Sequence, residues 1–118
     1  MAFSENMSTR TYVAASAVDQ FRFVTFGSTG VAHTGAGARA SGVALGGAAA
    51  GKACTVAYDG RVTVVAAGTI SKGAAVASNA SGRAVAAATG NIILGTAYED
   101  AVSGQVITID IRRDALTA

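Results

Sequence analysis

Apolar and polar positions alternate along this chain in short runs, and glycine closes most of them. Phe21-Arg22-Phe23-Val24-Thr25-Phe26 ends at Gly27-Ser28-Thr29-Gly30, and Gly42-Val43-Ala44-Leu45 ends at Gly46-Gly47. Gln105–Ile111 alternates cleanly: Ile107, Ile109 and Ile111 face one way, Thr108 and Asp110 the other. Period-two alternation marks a strand, and glycine clusters between apolar runs mark turns. Further strands are predicted at Thr11–Ala15, Val31–His33 and Asn91–Tyr98, the last broken by Gly95.

Two hairpins are predicted. Gly73–Ser78 and Arg83–Ala87 flank Asn79-Ala80-Ser81-Gly82, and Ala53–Tyr58 and Arg61–Ala66 flank Asp59-Gly60. Asp-Gly suits a two-residue hairpin because both central positions need positive φ. That turn would pair Tyr58 with Arg61, Val56 with Thr63, and Cys54 with Val65. The opposite face would pair Ala57 with Val62 and Thr55 with Val64. Apolar groups then lie on both faces, and such a ribbon needs cover on both. In so small a domain another subunit or a docking surface could supply the second cover, which makes Tyr58, Val62 and Val64 candidate interface residues.

Composition sharpens this picture. The chain has 118 residues, enough for one domain. The apolar set is 51% of it, with 28 Ala and 13 Val but only 3 Leu. Three leucines cannot supply the stripes of a helical bundle. At most one short helix is expected, near Ala14–Gln20 or Ala48–Ala50, and no fixed repeat period is evident. The expected fold is all-β: a small β-barrel or β-sandwich-like domain over residues 13–118, preceded by an extended polar arm over residues 1–12.

Net charge is +2, too little and too scattered for a nucleic-acid footprint. The tightest basic cluster, Arg112-Arg113, is flanked by Asp110 and Asp114. The N-terminus lacks the apolar core of a signal peptide, and no run of eighteen apolar residues exists to span a membrane. The protein is expected to be made in a cytoplasm and to act there, or to leave it within an assembly.

Candidate chemistry is thin. Cys54 is the one cysteine and His33 the one histidine, and no third residue stands out to orient a Cys–His pair. A small buried hydrophobe is the simpler role for Cys54. Gly46–Ala53 approaches the phosphate-loop pattern, but Ala53 stands where a hydroxyl must bind Mg²⁺, and a strand follows where a helix is needed. Gly35-Ala36-Gly37-Ala38 lacks the βαβ context of a dinucleotide site. Glu99-Asp100 are adjacent and point apart on an extended chain, a poor acid–base pair. Phe21-Arg22-Phe23 interleaves aromatics with a base as single-strand binders do, but reads equally as a core strand. No catalytic, cofactor or metal site is expected.

From about residue 40 onward the chain resembles the small phage capsid decoration, or cement, proteins. The likeness is carried by Gly42–Leu45 with Ala53–Gly60, by Gly73–Val76 with Ser78–Arg83, by Gly90–Ala97, and by Ala101–Val106 leading into Ile107–Ile111. Ala77 departs from it, standing where the family usually has an aromatic. The resemblance implies a β-barrel-like domain, usually trimeric, that binds the outside of an assembled head and reinforces it without catalysis. The major capsid protein is the implied partner and the outer surface of the virion the implied location. Ala and Gly bury little surface per residue, so a thin monomer core also suits association with identical copies. The N-terminal arm could order on the shell by strand pairing, with Phe3, Met7, Arg10 and Tyr12 as its capsid-binding candidates. A rival reading from the same fold is an adhesive or receptor-binding module on a virion or cell surface, using loops such as 27–41.

Overall fold

The computed structural model of the chain describes residues 5–111. Among these residues there is no helix and there are nine strands: β1 (Glu5–Val13), β2 (Phe23–Gly27), β3 (Gly30–His33), β4 (Gly42–Ala44), β5 (Ala53–Val65), β6 (Ala75–Ser78), β7 (Ala84–Ala86), β8 (Gly95–Ala97) and β9 (Val106–Ile111). All strand pairings are antiparallel. They form two five-stranded sheets that share β5, ordered β3-β2-β4-β5-β1 and β5-β9-β8-β6-β7. The all-β expectation holds. The segments considered for a helix instead meet each other, through an antiparallel bridge between Val18 and Ala48.

The Asp59-Gly60 hairpin does not form. Ala53–Val65 is one strand of thirteen residues that runs through Gly60, whose φ is 91°. Its first half lies between β1 and β4, and its second half pairs with β9, with Val62 opposite Ile109 and Val64 opposite Ile107. Both faces of β5 are covered, as its apolar pattern requires, but by this chain's own strands. The second hairpin forms as predicted, with Val76 opposite Ala86 and Ser78 opposite Ala84. β1 begins earlier than expected: residues 5–12 of the expected arm are extended, and they pair with β5 of the same chain.

The two sheets are one motif used twice, which corrects the expectation of no repeat. β1, β2, β3, β4 and the first half of β5 correspond to the second half of β5, β6, β7, β8 and β9. The parallel bridge Ala14–Val31 matches Ala66–Ala84, and the antiparallel bridge Val18–Ala48 matches Ile70–Ala101. Val24 opposite Gly42 matches Val76 opposite Gly95. The Ala14 N–H donates to the Lys52 carbonyl at 2.9 Å, and the Ala66 N–H to the Gln105 carbonyl at 2.7 Å. Phe21, with φ 58°, takes the place that Gly73 holds with φ 85°. Their N–H groups donate to equivalent carbonyls, Ala44 and Ala97.

The repeat explains the core. Ala14, Val18, Val24, Val31, Ala44, Cys54 and Val56 form a cluster inside the first sheet, which curls until β1 bridges toward β3. Their counterparts Ala66, Ile70, Val76, Ala84, Ala97, Ile107 and Ile109 all lie in a second, larger cluster. That cluster also takes Phe23, Val43 and Ala57, a row across β2, β4 and β5 on the outer face of the first sheet. The second repeat is thus stacked on the back of the first. Val62 and Val64, expected at a subunit interface, are fully buried in this shared core. They leave no surface for another subunit.

Candidate assembly surface

Strand alternation decides which side chains of β1 and β5 meet. Arg10 lies opposite Val56 and Tyr12 opposite Cys54, and residues two apart on β5 share a face. Arg10, Tyr12 and Tyr58 therefore emerge together at one end of the curled first sheet. They line a cleft of about 340 Å³ with Phe26, Arg39, Ala40, Ser41 and the segment Ile92-Ile93-Leu94. The Tyr12 and Phe26 rings meet at 4.9 Å between centroids, tilted by 44°. The Arg10 guanidinium sits over the Tyr58 ring, 5.4 Å from its centroid, within range of a cation–π contact. Phe26 is 55% exposed. Neither Arg10 nor Arg39 is ion-paired with a carboxylate among the described residues.

A second polar surface lies on the outer face of the second sheet. There Arg61 Nε approaches Asp110 Oδ1 at 3.4 Å and the guanidinium stacks over Tyr98 at 4.2 Å. Asp110, Thr96 and Ala75 form a row across β9, β8 and β6.

Of the candidates read from sequence, the fold brings Arg10, Tyr12 and Tyr58 together. Phe3 lies outside the described residues, as does the Arg112-Arg113 pair. The backbone of Met7 lies in β1. Phe26 and Ile92–Leu94 were not anticipated at a site, because separate loops and strand ends deliver them, while Arg39 lies in the 27–41 loop named for the adhesive reading. Cys54 and His33 have separate surroundings. The Cys54 thiol lies 3.8 Å from the Gly46 carbonyl, and burial raises its pKa above that of a free thiol. His33 Nε2 accepts the Asp19 N–H at 3.0 Å. Asp100 Oδ1 accepts the Lys72 N–H at 2.7 Å, and Glu99 Oε2 the Thr108 N–H at 3.3 Å. These carboxylates hold backbone in place. The 34–41 loop is pinned to the second repeat: the Gly37 N–H donates to Ser78 at 2.9 Å, and the Ile92 N–H donates to Gly37 at 3.0 Å.

The chain belongs to the phage cement protein family, whose model matches residues 4–113. The match reaches well into the N-terminal forty residues, where the sequence resemblance had not extended. Among solved structures, the N base of head fiber gp8.5 in bacteriophage phi29 shares the fold, with a TM-score of 0.77. It is 24% identical, over 95% of this chain and 99% of that one. A search of curated protein sequences found no match.

Proposed function

We propose that this cement protein decorates the outer surface of an assembled phage head. It binds as a trimer near three-fold and quasi-three-fold axes and bridges neighbouring capsomers. The observation that carries this reading is the family match over residues 4–113. The fold shared with a head fiber base is consistent with it. Reinforcement comes from many weak contacts made at once, where bridging multiplies the effect of each. The N-terminal residues Phe3 and Met7 are the proposed shell contacts, as the apolar members of an otherwise polar segment. Arg10 and Tyr12, grouped with them on sequence grounds, line the cleft.

The test is cosedimentation with expanded heads stripped of this protein, followed by electron microscopy of the decorated particles. Wild type is expected to saturate three-fold positions and raise the temperature at which heads release DNA. Phe3→Ala combined with Met7→Ala should lower occupancy about tenfold, equivalent to ~1.4 kcal/mol, without changing the circular dichroism of the free protein. Binding to host cells or glycans with none to heads would replace this reading with the adhesive one.

A further inference from the structure

We infer that the Arg10–Tyr12 cleft of the first repeat receives the outer face of the second repeat of another copy of this chain. The contact would be head-to-tail and would reproduce between chains the one already present within the chain.

The argument starts from the repeat. Inside the chain, the second repeat presents Val62 and Val64 toward the row Phe23, Val43 and Ala57 on the back of the first, and all five are buried. Each partner has a counterpart that this contact leaves unused. Val62 and Val64 correspond to Arg10 and Tyr12, which line the cleft. Phe23, Val43 and Ala57 correspond to Ala75, Thr96 and Asp110, which are only half-buried. One unused half lies on each repeat, and repeating the internal geometry between copies joins them head to tail, a heterologous contact.

The chemistry of the two unused surfaces has changed together. Where the internal contact sets Val62 and Ala57, the open surfaces carry Arg10 and Asp110. Arg10 has no carboxylate among the described residues, and the Asp110 side chain is 47% exposed beside Arg61. The internal contact is apolar and permanent in character. The open one is mixed, with aromatic rings and opposite charges, as suits a contact between folded, soluble chains. A ring of three chains would carry six repeats around its axis. This inference rests on the oligomeric part of the proposed function and names the surfaces that part requires.

Crosslinking the full-length chain tests it. Tyr12→Cys and Thr96→Cys proteins, each on a Cys54→Ala background because Tyr12 lies opposite Cys54, are treated with a short bis-maleimide, separately and mixed. A crosslinked dimer from the mixture, with none from either variant alone, is the expected result. Crosslinking of Tyr12→Cys with itself, or no crosslink in a mixture that keeps its native circular dichroism, would overturn it. Arg10→Glu provides a second measurement on an exposed position that leaves the core intact. By sedimentation velocity it should weaken self-association by roughly tenfold or more, and unchanged association would equally overturn the contact. Head binding is scored separately. Assembly through these surfaces without head binding removes the proposed function and keeps this contact; head binding by a chain that lacks the contact does the reverse.

Discussion

Gly42 and Gly95 show most directly how one residue holds this structure. They are counterparts in the two repeats, and a Cβ on either would fall 2.3 Å from the Ala57 carbonyl oxygen or 2.4 Å from that of Asp110. Those oxygens belong to neighbouring strands, which cannot move aside without breaking the sheet. Gly42→Ala and Gly95→Ala should each destabilise by about 2 kcal/mol or more, in line with overpacking of a fixed core. Gly46→Ala and Gly68→Ala meet nothing within 4 Å and sit at ordinary φ. They should be neutral or stabilising by up to ~1 kcal/mol, through the unfolded chain's lost freedom. Urea denaturation midpoints of the four variants check this contrast. From sequence alone Gly46 reads as a turn, Gly42 as the start of an apolar run and Gly95 as a break in a strand, and the crowding at the last two stays hidden because the backbone that causes it is remote along the chain.

At the level of elements, β5 carries the lesson. Asp59-Gly60 has the composition of a hairpin turn, and the positive φ at Gly60 is present as that turn requires. The strand nevertheless continues, because non-local partners on both sides outcompete local closure. β1 and β4 flank its first half, β9 pairs its second, and Val56 and Val62 reach two different cores. Gly60 thus serves as the corner where one strand passes from one sheet to the other. Gly60→Val should cost about 1–3 kcal/mol, because a β-branched residue is strained at positive φ. Gly60→Asn should cost less, since Asn tolerates that region. Comparison of the two by chemical denaturation separates backbone strain from the bulk that either added side chain brings. The β6–β7 hairpin was readable because its partner is local and its turn is bound in place: Asn79 Oδ1 accepts the N–H groups of Ser81 and Arg83, each at 2.9 Å.

The whole molecule is two repeats that cannot be pulled apart. They share β5, and Phe23, Val43 and Ala57 of the first cap the interior of the second. Thermal unfolding should therefore be a single transition, with calorimetric and van't Hoff enthalpies equal. Two separated transitions would show that the repeats are independent. The duplication escapes a reading of the sequence for a physical reason. Most positions it conserves are Ala, Gly and Val, the commonest residues here: Ala14 with Ala66, Val24 with Val76, Gly51 with Gly104. The turn after β6 is also one residue longer than that after β2, since Phe26 pairs Val31 while Ser78 pairs Ala84, and this shifts the register midway. The cleft was only partly foreseeable for the same kind of reason. Tyr12 and Tyr58 could be singled out as aromatics in a small-residue chain, but Arg39 and Ile92–Leu94 reach them only because the second repeat is stacked on the first.

The all-β class, most strand positions, the glycine turns and the β9 face of Ile107, Ile109 and Ile111 are legible in the amino-acid pattern. These follow from period-two patterning and φ preferences, which act over a few residues. That Asp59-Gly60 is a corner, that Val62 and Val64 are interior, and that one motif occurs twice emerge only from the folded chain. Those outcomes depend on which distant strands pair. Burial of both faces of β5 selects that pairing, and no local stretch of the chain encodes it.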